Sequence, residues 1–429
     1  MLRAPGRVNL IGEHTDYNGL PVLPIAIDRE ILVAASPRSD HTIEVRSVDP
    51  RFGPRRFEMS NRIEPYASGD WGNYAKAAAQ ALRQFIPEKL RGFDAVVSGN
   101  IPIASGLSSS SALVVALALA LLEANGKSID RTVLAELLAE GERYVGTRGG
   151  GMDQAVCLMA REGHALKIDF FPLVTRHIPI PAGYSFIVSH SMVEADKSAS
   201  ARAAYNLRAA ESHMAAAVLA GALAGRVASE CCEIERLGDL QKKAGLSDED
   251  IDSLVEETFE KDTYSLVEVA EFLGEGVQRV RRAFLGAFSD EEVRSFSGFK
   301  LRPRCRHVVS EGRRVERAVE ALRAGDMCGF GALMCQSHRS CSVDYEVSCT
   351  ELDMLTEIAM ESGALGSRLT GAGFGGCAIS LVPDDRTERF FEKVRKKYYR
   401  DQGRRERVSD ADLMFVCRPV SAAEPVIGR

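Results

Sequence analysis

The stretch Pro102-Ile-Ala-Ser-Gly-Leu-Ser-Ser-Ser-Ser-Ala112 decides the fold, because it joins two segments of opposite character. Phe93–Ser98 before it is short and β-branched and predicts a strand. The apolar residues Leu113–Leu122 after it predict a buried helix that stops near Asn125-Gly126. Glycine and serine at a helix start gather backbone N–H groups and hydroxyls at its positive end, where a polyphosphate binds well. From these residues alone, a serine-rich turn whose hydroxyls cap a core helix is an equally good interpretation.

The composition indicates a globular chain of 429 residues, long enough for two or three domains. Its net charge of −6 argues against broad nucleic-acid binding. The ten cysteines are scattered without a C-x₂-C pair, which favours reduced thiols over zinc sites or disulfides. The N-terminus has no apolar core of signal-peptide length, and Leu113–Leu122 is too short to span a bilayer. We therefore expect a cytoplasmic monomer that binds neither nucleic acid nor membrane.

A polar segment near the N-terminus concentrates side chains that bind hydroxyl groups. Glu13, His14 and Asp16 lie within four residues and can hold several hydroxyls of a sugar or polyol. Arg7 nearby could neutralise phosphate charge or keep a carboxylate ionised. A metal site is a weaker interpretation because Glu-His-x-Asp lacks helical i, i+4 spacing. A polar loop between two strands remains the alternative from this segment alone.

A second candidate segment, Gly149-Gly-Gly-Met-Asp153, follows a predicted helix at Leu134–Tyr144, with Glu142 near the end of that helix. Successive glycines allow the backbone to approach another group closely and to aim Asp153. We therefore interpret Asp153 as a candidate base on a loop, with a turn-forming aspartate as the alternative.

A third glycine-rich segment, Gly366–Cys377, literally satisfies G-x-G-x-x-G at Gly371, Gly373 and Gly376. A dinucleotide site would require a helix next, yet Cys377–Val382 predicts a strand. The interpretation as a dinucleotide site therefore fails, and the segment predicts a glycine-rich hairpin. No G-x-x-x-x-G-K-[ST] motif and no H-R-D catalytic loop occurs to compete with Pro102–Ala112.

Taken together, these stretches resemble the galactokinases of the GHMP small-molecule kinase superfamily. Ala4–Gly19 is similar to their signature, Pro102–Ala112 to their phosphate loop and Gly366–Cys377 to their third motif, in the same order. The resemblance implies an α+β fold of two domains, which we place at 1–165 and 166–429, with the active site in the cleft between them.

The resemblance also implies ATP-dependent phosphorylation of the anomeric C1 hydroxyl of galactose, with Mg²⁺. Beside Arg7, the Asp153 carboxylate would stay ionised and could accept the hydroxyl proton. The implied residues are Asp153 and Arg7 at the attacking oxygen; Glu13, His14, Asp16, Gly151 and Tyr205 at the sugar; Gly106, Leu107, Ser108, Ser109, Ser110, Ser111 and Trp71 at ATP; and Ser110 and Glu142 at Mg²⁺. From sequence alone, Trp71 is better explained as a core aromatic and Tyr205 equally well as an ordinary helix residue.

Two other functions remain as alternatives. The segments Gly106–Val114, Gly146–Gln154 and Ser367–Cys377 resemble N-acetylgalactosamine kinases more than typical bacterial galactokinases, as does Val193–Lys197, whereas Tyr205 favours galactose. A 2-acetamido group requires pocket volume that a sequence does not reveal. The other alternative is a non-catalytic sensor of galactose and ATP, against which the intact Asp153, Arg7 and phosphate loop argue.

Overall fold

The computed structural model describes residues 1–67, 69–142, 150–193, 199–224, 234–400 and 410–426. The strands are β1 (Leu2–Asn9), β2 (Pro24–Pro37), β3 (Thr42–Ser47), β4 (Arg55–Glu58), β5 (Phe93–Gly99), β6 (His164–Asp169), β7 (Val174–Pro179), β8 (Tyr184–His190), β9 (Gly366–Thr370), β10 (Cys377–Pro383), β11 (Met414–Cys417) and β12 (Glu424–Pro425). The helices are α1 (Gly72–Phe85), α2 (Ser109–Ala124), α3 (Arg131–Glu142), α4 (Met152–Met159), α5 (Ala199–Ala224), α6 (Asp239–Lys242), α7 (Asp248–Thr258), α8 (Leu266–Leu273), α9 (Val277–Leu285), α10 (Asp290–Ser295), α11 (Leu301–Ala324), α12 (Met327–Val343), α13 (Thr350–Ser362), α14 (Thr387–Val394) and α15 (Asp410–Leu413). The expected α+β class is confirmed.

The first sheet has the strand order β12-β1-β2-β5-β3-β4 in the described residues, and only the β3–β5 pair is parallel. Its edge strand β12 comes from the end of the chain, so the C-terminal residues return to pair with β1. The β1–β2 register shifts between Pro5 and Arg7. This irregularity lies next to the point where Arg7 turns toward the candidate site.

Helix α2 packs against this sheet and confirms the prediction made from Leu113–Leu122. Nearly every side chain from Ser111 onward is buried, because the helix is apolar on all faces. Asn125 caps the helix and Gly126 follows with a φ of +59°. The strand predicted before the loop is also confirmed as β5.

The second sheet has the order β11-β8-β10-β9, and β6 and β7 form a separate two-stranded ribbon. The third glycine-rich segment forms the β9–β10 hairpin, as expected, with Leu369 opposite Ala378. The sequence pattern did not predict β7. The segment Leu413–Cys417 predicts a final strand; the strand is confirmed as β11, but it is not the last one, because the two-residue β12 follows it.

Two apolar clusters fill the interior. The first cluster lies under the first sheet and includes residues of α1 and α2. The second is formed by residues of helices α5 through α9, α11 and α13. The division of the chain at residues 165 and 166 stays a prediction. Within the described ranges, no helix combines the length and the apolar character that crossing a membrane requires.

Candidate active site

Asp153 lies where β1, α4 and the phosphate loop meet. Its Oδ1 accepts a hydrogen bond from Arg7 Nε at 2.6 Å, and its Oδ2 accepts one from Ser108 Oγ. Gly151 is the N-cap of α4, with a φ of +98°, so Asp153 is the second residue of that helix rather than a loop residue as expected. The side chain stays 24% exposed, which leaves the carboxylate within reach of a ligand.

Arg7 joins Asp153 to the phosphate loop. Its Nη1 donates to Gly106 O at 2.5 Å, and its backbone N–H donates to Leu107 O at 3.2 Å. Burial lowers the pKa of Arg7, but the charges of Asp153 and Glu13 outweigh burial and raise that pKa above its ordinary value. The Arg7 guanidinium therefore stays charged beside Asp153.

The phosphate loop enters α2 through left-handed backbone at Gly106 and Ser108, with φ values of +77° and +57°. Ser108 occupies the N-cap position of α2, yet its hydroxyl makes no cap hydrogen bond to the helix. It turns to Asp153 instead. For Ser108, the interpretation as a simple helix cap is therefore wrong.

The third glycine-rich segment crosses the phosphate loop in direct backbone contact. A Cβ atom on Gly371, whose φ is +85°, would lie 2.7 Å from Gly106 O. A Cβ atom on Gly106 would lie 3.0 Å from Thr370 O. Glycine at both positions allows this approach, which joins the hairpin of the second sheet to the first.

Glu13 is buried under the same hairpin. Its Oε1 accepts hydrogen bonds from Gly371 N at 2.9 Å and from Arg368 Nη1 at 3.2 Å. Its carbonyl oxygen accepts one from His307 Nε2 at 3.0 Å. Burial raises the pKa of Glu13, although the charges of Arg368 and Arg7 oppose that shift. Arg368 lies within the third glycine-rich segment, but no sequence pattern indicated its contact with Glu13.

Both ring nitrogens of His14 have protein partners. Nε2 lies 3.2 Å from Ala372 O and Nδ1 lies 2.8 Å from Tyr17 Oη. A carbonyl oxygen can only accept, so Nε2 carries the hydrogen and Nδ1 accepts from Tyr17. Burial lowers the pKa of His14 to about 3, so the ring is neutral at physiological pH.

An aromatic wall surrounds His14. Tyr345 lies 4.9 Å and Tyr205 lies 5.4 Å from the His14 ring, centroid to centroid. The Tyr17 and Tyr345 hydroxyls are 2.9 Å apart. The structure therefore brings the predicted Tyr205, on α5, to the signature. It adds Tyr345 and His307, which no pattern near them in the sequence indicated.

Asp16 contacts the glycine run before α4. Its Oδ2 accepts a hydrogen bond from Gly150 N at 2.9 Å, and a Cβ atom on Gly150 would lie 2.5 Å from the Asp16 carbonyl carbon. Burial raises the pKa of Asp16 to about 6, and the charge of Asp153 adds to the shift. Residues 143–149, which include part of the predicted glycine run, and residues 194–198 lie outside the described residues.

Glu142 is the last residue of α3, and its Oε1 accepts a hydrogen bond from Ser111 Oγ at 2.5 Å. Ser110 is the neighbouring residue in the first turn of α2. Hydroxyl and carboxylate oxygens are the hard donors that Mg²⁺ prefers. The donor set therefore fits a magnesium ion shared with phosphates. Among the described residues, no group of three or more His, Cys, Asp or Glu side chains forms a separate metal site.

Trp71, at the start of α1, contacts the connection between β3 and β4. Its Nε1–H donates to Gly53 O at 2.9 Å, and its ring lies 6.1 Å from that of Phe52 in an edge-on arrangement. These contacts do not include the phosphate loop, so the predicted nucleotide contact stays a prediction.

Three protein-family models and two curated relatives match this chain. Residues 1–37 match the galactokinase galactose-binding signature, residues 73–161 the GHMP kinases N terminal domain and residues 318–400 the GHMP kinases C terminal model. The chain is 36% identical to galactokinase of Dictyostelium discoideum, in an alignment covering 92% of this chain and 83% of the relative. It is 33% identical to galactokinase of Saccharomyces cerevisiae, covering 99% of this chain and 90% of the relative.

Two solved structures are similar to this chain to different degrees. The crystal structure of Lactococcus lactis galactokinase complexed with galactose has a TM-score of 0.77 and 29% identity, covering 99% of this chain and 94% of that chain. Mevalonate kinase of Methanococcus jannaschii has a TM-score of 0.58 at 18% identity, covering 98% of each chain, and shares the fold alone.

Proposed function

Because this chain belongs to the galactokinase family of the GHMP kinases, we propose that it transfers the γ-phosphoryl group of ATP to the anomeric C1 hydroxyl of galactose. The observation that best supports the assignment is the position of Asp153. Its carboxylate contacts Arg7 from the sugar signature and Ser108 from the phosphate loop. A hydroxyl that reaches Asp153 therefore lies beside the place where ATP phosphates would bind.

Asp153 accepts the C1 hydroxyl proton as the O1–Pγ bond forms and the bond from Pγ to the ADP oxygen breaks. Arg7 offsets the negative charge that gathers around the γ-phosphate. Their 2.6 Å contact fixes the direction in which Asp153 points.

The sugar is held by Glu13, His14, Asp16, Gly151 and Tyr205. Glu13 and Asp16 accept hydrogen bonds from sugar hydroxyls, and neutral His14 has one ring N–H to donate. That N–H points to Ala372 O at 3.2 Å, so a sugar hydroxyl would take the place of this carbonyl as acceptor. Tyr205 closes the pocket beside the His14 ring.

The ATP phosphates bind at Gly106, Leu107, Ser108, Ser109, Ser110 and Ser111, with Trp71 near the base. The backbone N–H groups at the start of α2 point toward such a ligand, and the helix dipole favours its charge. Ser110 and Glu142 would hold Mg²⁺, while Ser111 orients the Glu142 carboxylate. When bound, the ion neutralises charge on the β- and γ-phosphates.

We also propose that the cleft lies between domains formed by residues 1–165 and 166–429. The protein works as a monomer in the cytoplasm, where the eight described cysteines stay free thiols.

The test is ADP release from purified protein with MgATP, offered galactose and N-acetylgalactosamine separately. We expect turnover with galactose far above that with the amide sugar, lost in Asp153→Ala. Asp94→Ala, which breaks an exposed pair with Arg38 on another part of the first sheet, should retain activity. The reverse sugar preference would assign the protein to the N-acetylgalactosamine branch. Sugar binding without turnover would favour a sensor.

A further inference from the structure

Arg368 is a fully buried arginine outside the residues assigned to the sugar, ATP and Mg²⁺. It lies in β9 with 0% exposure, two residues before the end of that strand. A buried guanidinium is unfavourable unless its donors are satisfied. Its partners therefore indicate what the residue is there to hold.

Three elements fix the Arg368 guanidinium. Nε donates to Ser337 Oγ on α12 at 3.0 Å, and Nη1 donates to Asn9 O on β1 at 3.1 Å. Ser337 in turn donates to Glu311 Oε1 on α11 at 2.5 Å. The guanidinium thus has one orientation, set by packing rather than by a ligand.

The remaining contact of Arg368 Nη1 is with Glu13 Oε1, and Gly371 N donates to the same oxygen. Two donors from one hairpin therefore converge on Oε1 and fix the plane of the carboxylate. Neither of these donors contacts Oε2, so they leave that oxygen able to accept a hydroxyl from a ligand. The charge of Arg368 also opposes protonation of buried Glu13, and a protonated carboxyl would lose acceptor capacity.

We propose that Arg368 is a positioning residue for sugar binding, which acts by holding Glu13 in the orientation that presents Oε2 to a galactose hydroxyl. The inference rests on the proposed function and deepens it. The third glycine-rich segment would then support sugar binding through the contact of Arg368 with Glu13, and it also packs on the phosphate loop through Gly371.

The first test is Arg368→Lys, which keeps the charge but cannot reproduce the planar fork of donors. We expect the KM for galactose to rise about 10- to 100-fold, as when partners that orient a binding group are removed. The KM for ATP should change by less than about threefold, because the hydrogen bonds of Arg368 go to none of the residues assigned to ATP binding. Equal increases in both KM values would overturn the proposal.

The second test is a double-mutant cycle with Glu13→Gln. If Arg368 acts through Glu13, the double variant should have a galactose KM less than about threefold above that of Glu13→Gln alone. Fully additive effects would overturn the proposal. Wild-type turnover of galactose is measured first, so failure of the proposed function is distinguished from failure of the Arg368 role.

Arg313→Lys is the matched control, because it alters another arginine–carboxylate pair, with Asp252 on α7. It should leave the galactose KM unchanged. If Arg368→Lys does not fold, Ser337→Ala replaces it, since this change removes the acceptor of Arg368 Nε together with one hydrogen bond to Glu311 and leaves Arg368 itself in place. A smaller but galactose-selective rise in KM supports the proposal, and an unchanged galactose KM in folded Ser337→Ala overturns it.

Discussion

The sugar side and the phosphate side of the site are built differently. On the sugar side, Glu13, His14 and Asp16 are buried, and each already has a protein partner for its side chain. On the phosphate side, Ser109 and Ser110 are half-buried at the start of a helix, and the loop offers backbone groups and hydroxyls. One side is a network of fixed side chains, and the other is a helix start.

The ligands explain the difference. A neutral sugar is recognised through the direction of its hydroxyl groups, so its partners must be held in place beforehand. A polyphosphate carries enough charge to bind any well-placed set of N–H donors. We therefore expect substitutions on the two sides to separate kinetically, and the following predictions run from the largest effect to the smallest.

The largest effect is expected where the two sides meet. Asp153→Asn keeps the shape of the side chain but removes the proton acceptor. We expect kcat to fall about 10²- to 10⁴-fold, the range for loss of general-base catalysis, with galactose affinity little changed. Single-turnover kinetics and calorimetric titration with galactose measure both quantities. A variant that keeps more than about a tenth of the rate would show that Asp153 mainly orients the hydroxyl.

The second prediction tests the backbone junction between the two sides of the site, which is the close contact of Gly371 in the hairpin with Gly106 in the phosphate loop. In Gly371→Ala the new Cβ would lie 2.7 Å from Gly106 O at a φ of +85°. We expect a loss of about 1–3 kcal/mol in the free energy of unfolding, together with a higher KM for ATP. Urea denaturation and ATP saturation curves measure these changes.

Gly363→Ala is the control for strain alone. Its φ is +109°, yet nothing lies within 4 Å of the added Cβ atom. It should lose stability without a change in the KM for ATP. Equal effects on that KM in both variants would contradict a specific role for the junction.

The third effect sharpens the phosphate side. Glu142→Gln should raise the Mg²⁺ concentration needed for half-maximal activity about 10-fold or more, because a charged ligand is lost. Magnesium titrations at fixed ATP measure it. Exposed Glu136, earlier on the same helix, supplies the control Glu136→Gln, which should behave as wild type. An unchanged magnesium requirement in Glu142→Gln would remove Glu142 from the metal site.

The fourth effect concerns pH on the sugar side. The pKa of Asp16 is raised to about 6 in the folded protein, whereas an unfolded aspartate titrates near about 4. Between these pH values, Asp16 binds more protons in the folded state than in the unfolded state. The contribution of protonated Asp16 to stability is therefore present below about pH 4 and is lost as the pH rises through about 6. The stability advantage of Asp16→Asn over wild type should therefore grow across this interval and then level off.

Urea denaturation of both proteins at several pH values checks this expectation. His14, whose pKa is lowered to about 3, makes both proteins more stable as the pH rises through the same interval, and this contribution cancels in the difference between them. A difference between the two proteins that stays flat from pH 4 to pH 7 would contradict a buried, proton-binding Asp16.

The smallest effect concerns Trp71, the only tryptophan of the chain. If its indole contacts the adenine, ATP should change the intrinsic fluorescence and galactose alone should not. Trp71→Phe should raise the KM for ATP by only about two- to threefold, because an aromatic face remains. Fluorescence that does not respond to ATP would assign Trp71 to the contact with Phe52 and Gly53 alone.

Much of the site could be predicted because its residues lie in contiguous, spaced motifs. Arg7, Glu13 and Asp153 were predicted in this way, and the structure joins Arg7 to Asp153 directly. Arg368 and Tyr345 could not be assigned to the site, because their contacts with Glu13 and His14 arise from packing over more than 300 positions of sequence.

The missed elements have local causes. Strand β12 has two residues, too few to show a hydrophobic period. Strand β7 alternates weakly, since most of its side chains are exposed or half-buried. Asp153 was expected on a loop because three glycines precede it, whereas Gly151 serves as the N-cap of a short helix.

The central claim is that the anomeric hydroxyl of galactose is the group placed beside Asp153. The most direct measurement is ³¹P NMR of the product formed from MgATP and galactose. Phosphorus coupled to the anomeric proton H1, in a product that forms as fast as ADP, is the expected result. Phosphorus coupled to the C6 protons, or inorganic phosphate as the only new signal, would contradict the account.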